Sequence, residues 1–242
     1  MSSPTKRVYI LTGGTMVHVT PHFALCAPAY GTVGSEIADR LACRVLLSMS
    51  DESYEIVLVK TKMAGSNSDA TMARLAQLGV RSAPETNADA QVFVQAVLGD
   101  TQAVALIMAA AICDFVPVEL TAIGRSGDIT TIQHFGKEQK RLHHIETLTL
   151  QMRPSDKLID GIKRTRPDLT IVTFKTTAGV TEDELFAQAF YNLQKSKSDL
   201  VFANDIQNYQ NMVVTAAGER LRGDDRRETL DLLCEKLLAM IV

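Results

Sequence analysis

Two short segments near apolar runs carry residue types that suit ligand binding. Gly13-Gly14-Thr15 follows the strand-like run Val8–Leu11, and Asp114 follows an alanine-rich run that contains Ala110 and Ala111. Glycine lets a backbone approach a ligand closely, consecutive amides can cradle phosphate, and small alanines leave room for a flat group. The same residues also suit tight turns and packed strand ends, so each segment alone leaves both interpretations open.

Two later segments hold the same position at the end of a predicted strand. Phe174-Lys175 places an aromatic ring where it could stack on a base, and Asn204-Asp205 offers polar groups that also suit a turn. Taken alone, a phenylalanine here is more often a core residue. Open α/β sheets bind ligands beyond the carboxyl ends of their strands. We therefore predict that all four segments border one crevice.

A basic segment lies between these groups. Lys137 to Arg141 follows Gly136 and holds three cations. Such a cluster is usually a solvated loop, but it could also close over phosphates as a lid and stabilise developing charge. His143-His144 has no third ligand at a suitable spacing, so we predict no metal site. The GxSxG, HExxH and Walker motifs are absent.

The elements that must position these residues alternate between strand and helix patterns. Continuous apolar strands separated by amphipathic helices predict a doubly wound α/β fold with a mostly parallel sheet. We predict one domain over 1–242, with an antiparallel flap at about 118–152. The predicted helices are 34–49, 69–78, 87–98, 156–163, 182–196 and 225–241; the predicted strands are 8–11, one beginning at Val80, 54–59, 103–109, 169–174, 199–203 and two around Gly218.

Composition narrows the class of protein. The 242 residues carry 25 Lys+Arg and 28 Asp+Glu, for a net charge of −3, and 46% are hydrophobic. These values argue against a disordered chain and a strongly basic nucleic-acid binder. No apolar run is long enough for a membrane helix, and Lys6-Arg7 precede too short an apolar stretch for a signal peptide. The four cysteines form no pair motif, which suits a reducing compartment, so we expect a cytoplasmic protein. From the charge and the apolar runs, we expect no nucleic-acid or membrane partner.

In order, the segments resemble phosphopantothenoylcysteine synthetase, the ligase of coenzyme A biosynthesis, over about residues 6–240. The family's GGT, AAVxDF, KIKK-type flap, GFAAET and DLIVAND motifs appear here as Gly13-Gly14-Thr15, Ala110 to Phe115, Lys137 to Lys140, Thr173 to Thr177 and Asp199 to Asp205.

The resemblance implies a reaction in two halves. The carboxylate of 4′-phosphopantothenate attacks the α-phosphate of CTP or ATP, with Mg²⁺ accompanying the nucleotide, and the amine of cysteine then attacks the acyl-nucleotide. It also implies a homodimer. The family often occurs fused behind a flavin-dependent decarboxylase, which makes a separate decarboxylase a possible partner of this chain. Lys137 is the implied catalytic flap lysine. The implied nucleotide-binding residues are Gly13, Gly14, Thr15, Ala110, Ala111, Asp114, Phe174 beside the base, and Asn204 and Asp205 at the cleft floor.

The loop before the first helix departs from the family. The family's Asn falls on Ala27, and its SSG serines fall on Ala29-Tyr30, while Gly31 and Gly34 are retained. The strand-end Glu falls on Thr177, and the register of the helix lysines Lys195 and Lys197 is ambiguous.

Two explanations of the altered loop stay open. Either His18, His22 or Tyr30 rebuilds the amide-forming site, or the protein has left the family's chemistry. We take a stand-alone ligase as the leading interpretation. An NAD(P)H- or flavin-dependent reductase is the alternative, which Lys175 also favours, and a catalytically silent nucleotide-binding protein is the third.

Overall fold

The computed structural model describes residues 5–48 and 53–241. Its helices are α1 (Thr32–Leu47), α2 (Asp69–Gln77), α3 (Asn87–Gly99), α4 (Ile162–Thr165), α5 (Glu182–Ser196) and α6 (Arg226–Ile241), with a 3₁₀ turn at Lys62–Ala64. Its strands are β1 (Lys6–Gly14), β2 (Met16–Thr20), β3 (Phe23–Cys26), β4 (Tyr54–Lys60), β5 (Ala103–Ala111), β6 (Phe115–Gly124), β7 (Ile129–Ile132), β8 (Ile145–Pro154), β9 (Thr170–Thr177), β10 (Leu200–Asp205), β11 (Asn211–Thr215) and β12 (Arg220–Leu221).

The central sheet has seven strands in the order β12-β11-β10-β9-β5-β1-β4. The strands from β10 to β4 are parallel, whereas β11 and β12 add an antiparallel edge. The chain leaves β1 first to one side, for β4, and then to the other, for β5. A topological switch point therefore lies between β1 and β5, where doubly wound proteins open a crevice. The predicted fold class is confirmed.

Both faces of the sheet are covered, which explains the continuous apolar strands. Along β1, Val8 and Ile10 face a core with α1 and α6, whereas Tyr9 and Leu11 face a core with α2, α3 and α4. A third cluster lies between α5 and strands β10 and β11. Burying each large apolar side chain contributes about 1.5–3 kcal/mol, so this packing fixes the strand ends that border the crevice.

A three-stranded antiparallel sheet, in the order β7-β6-β8, forms the flap. Leu120 on β6 lies opposite Leu150 on β8, and both belong to a small core that the flap shares with the β2–β3 hairpin. The flap begins at Phe115 and ends at Pro154, close to the predicted bounds of 118–152.

Three local predictions differ from the structure. The β2–β3 hairpin was predicted as a loop. Val80 is not in a strand, because its N–H donates to the carbonyl of Leu75 in the turn that ends α2 after Gly79. The helix predicted at 156–163 is reduced to α4, since Gly161 adopts a left-handed conformation directly before it. Residue 49, the predicted end of the first helix, lies outside the described residues.

In the part of the chain that the structure describes, no helix has the length and apolar character needed to cross a bilayer.

Candidate functional site

A cavity of about 670 Å³ lies at the carboxyl ends of β5, β9 and β10. The loop before α1 closes one side, and the segment that follows the flap closes another. A helix contributes from each face of the sheet: Asn192 of α5 and Arg226, the first residue of α6. A cavity of this size suits a small-molecule ligand or cofactor.

Six of the predicted site residues line this cavity. They are Ala27, Ala110, Ala111, Asp114, Phe174 and Asn204. The other predicted residues do not line it: Gly13, Gly14, Thr15, Tyr30, Gly31, Gly34, Lys137 and Asp205.

The glycines that end β1 admit neighbouring chain segments. A Cβ on Gly14 would lie 1.9 Å from the carbonyl oxygen of Ala27, and a Cβ on Gly13 would lie 2.2 Å from Oγ1 of Thr61. Gly13 also has φ +100°, a conformation that favours glycine. These glycines therefore allow the loop with Ala27 to reach the cavity wall.

The glycines before and in α1 bring that helix close to β1. Gly31 caps the helix in the left-handed conformation, and a Cβ on Gly34 would lie 2.4 Å from Cβ of Thr12. As a result the first turn of α1 reaches the cavity, which Val33 lines.

Thr15 braces three elements. It is fully buried, and its hydroxyl donates to Oδ1 of Asn87 at 2.6 Å. The N–H of Cys113 donates to the Thr15 oxygen at 2.9 Å, and Nδ2 of Asn87 donates to the carbonyl of Cys113 at 2.8 Å. This network fixes the end of β5, where Ala110, Ala111 and Asp114 border the cavity.

Asp205 orders the loop behind the cavity floor. Its carboxylate accepts hydrogen bonds from the Thr177 hydroxyl and the backbone N–H groups of Gly179, Val180, Gln207 and Asn208. Although burial opposes ionisation, these donors hold the pKa of the Asp205 carboxyl well below its usual range. The carboxylate thus has a structural task, and Asn204 is the member of the pair that lines the cavity.

Two cavity cations have no ion-pair partner among the described residues. Lys175 follows Phe174 on β9, and Arg226 has its guanidinium carbon 6.0 Å from the centroid of the Phe202 ring. In contrast, Nζ of Lys157 lies 2.8 Å from Oδ1 of Asp114. The two unpaired cations can attract an anionic ligand.

An aromatic and an amide form the wall at β9 and β10. The Phe174 ring packs against Phe202 with centroids 5.5 Å apart. The Thr176 hydroxyl donates to Oδ1 of Asn204 at 3.0 Å, which orients the amide and leaves its N–H groups as donors.

Five further residues line the cavity although no recognised motif contains them, so the sequence did not reveal them: Asn192, Ser155, Asp156, Lys157 and Arg226. Only the folded chain brings them together at the cavity.

The predicted flap lysine lies outside the cavity lining. Nζ of Lys137 lies 2.7 and 2.8 Å from the two carboxylate oxygens of Glu85. His18, a predicted substitute for the family's Asn, is also bound to Glu85 at 2.9 Å. Neither His22 nor Tyr30, which is 74% exposed, lines the cavity.

The fold and cavity define a doubly wound α/β protein with a ligand crevice beside its switch point. No family model matches the chain. One curated relative is the coenzyme A biosynthesis bifunctional protein CoaBC of Thermococcus kodakarensis, with 22% identity over 98% of this chain. The chain spans about half of that relative, 52% of its length.

Three solved structures share the fold. A DNA/pantothenate metabolism flavoprotein from Streptococcus pneumoniae has a TM-score of 0.71 and 21% identity, covering 98% of this chain and 99% of that one. A Cab2 variant in complex with phosphopantothenate-cysteine has a TM-score of 0.62 and 14% identity, covering 97% and 85%. The C-terminal domain of a CoaBC has a TM-score of 0.60 and 17% identity, covering 98% and 93%. The resemblance to the phosphopantothenoylcysteine synthetase family is confirmed.

Proposed function

We propose that this chain is a ligase of coenzyme A biosynthesis that joins 4′-phosphopantothenate to cysteine at the expense of CTP or ATP. The observation that carries the proposal is the cavity at the ends of β5, β9 and β10. It combines five residues that lie in the family's motifs with the two unpaired cations Lys175 and Arg226, and Ala27 lines it at the position of the family's Asn.

In the first half-reaction, a carboxylate oxygen of 4′-phosphopantothenate forms a bond to the α-phosphorus, and the bond from that phosphorus to pyrophosphate breaks. The leaving pyrophosphate gains negative charge. Lys175 and Arg226 would stabilise that charge from the cavity, and Lys137 would reach it from the flap. Phe174 would offer a flat surface to the base.

In the second half-reaction, the cysteine amine attacks the acyl carbon, and the nucleoside monophosphate leaves as the amine loses a proton. The acyl oxygen needs donors in this step. Ala27 has no side-chain donor, whereas the amides of Asn192 and Asn204 line the same cavity. We propose that one of these amides serves in place of the family's Asn.

Magnesium would arrive with the nucleotide. Mg²⁺ typically binds one or two carboxylates together with substrate phosphates. The described residues hold no cluster of three or more potential metal ligands, but Asp114 and Asp156 both line the cavity. This donor set fits an ion held mainly by the triphosphate, with a contribution from these carboxylates.

The test follows pyrophosphate and amide separately, with 4′-phosphopantothenate, cysteine, Mg²⁺ and either CTP or ATP. We expect both products. Pyrophosphate without amide would mean that the change at Ala27 stalls the second half-reaction. Neither product would refute the ligase.

Thermal shift with CTP, ATP, NADPH and FMN separates the alternative functions, because a ligand that binds only the native state raises its melting temperature. We expect stabilisation by CTP or ATP. Stabilisation by NADPH or FMN alone would favour the reductase instead.

A further inference from the structure

Glu85 connects three separate elements through one carboxylate. Lys137 comes from the flap loop, Lys62 from the 3₁₀ turn after β4, and His18 from the β2–β3 hairpin. The Nζ of Lys62 lies 2.6 Å from Oε2 of Glu85, and Nε2 of His18 lies 2.9 Å from Oε1. No motif of the sequence contains this cluster.

The cluster is shielded at its centre and exposed at its rim. The Glu85 side chain is 12% exposed and that of His18 is 15% exposed, whereas the side chains of Lys62 and Lys137 are 50% and 51% exposed. Lys137 can therefore leave towards solvent. Lys62 and His18 would remain on Glu85, so its carboxylate would not be left without a partner.

The flap is attached to the cavity at both of its ends. β6 begins directly after Asp114, and β8 ends directly before Ser155. Both of these residues line the cavity, and the N–H of Ser155 donates to the Asp114 carbonyl at 2.8 Å. A flap that carries Lys137 is thus joined directly to the cavity wall.

We propose that Glu85 is a positioning residue that holds Lys137 beside the hairpin, and that the phosphates of a nucleotide in the cavity displace Glu85 as the partner of this lysine. This inference rests on the proposed function, because it takes the ligand to be a nucleoside triphosphate. A triphosphate carries more negative charge than one carboxylate, and it would stand beside the unpaired cations Lys175 and Arg226.

The first experiment measures the contact without any enzymatic activity. Lysines are briefly acetylated, and the acetylated positions are quantified by mass spectrometry. Acylation needs the lone pair of the amine, and an Nζ that is hydrogen-bonded to two carboxylate oxygens makes that lone pair less available. In Glu85→Gln, we expect acetylation of Lys137 to rise about threefold relative to Lys140, which has no ion pair among the described residues. Glu138→Gln removes the same charge from an exposed flap neighbour, and we expect an unchanged ratio.

The second experiment measures binding of CTP and ATP by calorimetry. Glu85 competes with the nucleotide for Lys137, so Glu85→Gln should bind the nucleotide about threefold more tightly than the unmodified protein. The gain should vanish when Lys137→Gln is already present, because Glu85 and the nucleotide then have no lysine at position 137 to compete for. Glu138→Gln should not reproduce the gain.

These outcomes separate the inference from the proposed function. An unchanged Lys137 to Lys140 ratio in Glu85→Gln would overturn the positioning role. A gain in affinity that persists with Lys137→Gln would overturn the exchange and indicate a general charge effect. If neither CTP nor ATP binds any variant, the proposed function and the exchange both fail, while the acetylation ratio still decides whether Glu85 holds Lys137.

Discussion

For single residues, the first role of the glycines in the GGT motif is to allow close packing of neighbouring chain segments, whether or not a ligand is bound. A Cβ on Gly14 would lie 1.9 Å from the Ala27 oxygen, 2.7 Å from Sδ of Met63 and 3.0 Å from the Ala29 nitrogen. Two of these three contacts are with backbone, which cannot rotate away. The motif therefore secures the cavity wall, and a phosphate-cradling role for the glycines is not needed to explain their presence.

We expect Gly14→Ala to lower the free energy of unfolding by about 2–3 kcal/mol, because the loop with Ala27 must move. Urea denaturation measures the effect. Gly99→Ala is the matched control, since a Cβ there meets nothing within 4 Å and it ends a helix. There, the free energy of unfolding should stay the same or rise by about 0.5 kcal/mol. Equal losses in both variants would refute this account of Gly14.

Arg226 gives the residue-scale prediction for the cavity itself. Replacing it by Gln removes an unpaired cation from the wall, and we expect nucleotide affinity to fall about tenfold, equivalent to 1.4 kcal/mol. Arg227→Gln removes the neighbouring charge, which is exposed and does not line the cavity, and should change affinity little. Calorimetry with CTP and ATP distinguishes the two, and equal effects would mean that only overall charge matters.

At the scale of elements, the local signals in the sequence predicted most helices well. The capping box at Thr181 starts α5, and both ends of the predicted helix 182–196 match the structure. The Val80 prediction was wrong because a buried apolar residue after Gly79 also suits the helix-ending turn in which its N–H bonds back to Leu75. The hairpin had a usable signal, since Val17 and Val19 alternate before a turn at Pro21.

The ion pairs of Glu85, which hold the flap loop, should make the stability of the protein depend on pH in acid. Burial opposes ionisation, but bonds from Lys137, Lys62 and His18 lower the Glu85 pKa to about 2 from its usual 4.5. A lowered folded-state pKa means that the unfolded chain binds the proton more readily. The stability contributed by Glu85 is therefore complete above about pH 4.5 and disappears as the pH falls towards 2.

Urea denaturation of the unmodified protein and Glu85→Gln checks this expectation. The difference between their free energies of unfolding should be constant from pH 6 to 5 and shrink as the pH falls from about 4.5 towards 2. Glu138→Gln should show no such trend. A difference that grows on acidification would contradict the lowered pKa.

For the molecule as a whole, the sequence predicted the residues of the cavity floor better than the polar and charged residues that reach the site from helices and loops. Ala110, Phe174 and Asn204 lie at the ends of predicted strands, so the parallel sheet alone brings them together. Arg226 and Asn192 reach the cavity from helices on opposite faces, and their positions depend on how those helices pack. Glu85 lies in a loop without a motif, so only the folded chain reveals its link to Lys137.

The outer strand of the flap sheet offers a surface for assembly. β8 is an outer strand of the flap sheet, and it presents Leu148 and Met152, whose side chains are 38% and 39% exposed. An open strand edge with apolar side chains is suited to pairing with a second copy across a two-fold axis. The family resemblance implies a homodimer, and we expect one at micromolar concentration in sedimentation experiments. Leu148→Glu should shift it towards monomer, because a charge would enter the interface, whereas Leu46→Glu on α1, at a position 85% exposed, should leave it a dimer. A monomeric unmodified protein, or a Leu148→Glu variant that remains a full dimer, would remove the β8 edge from the interface.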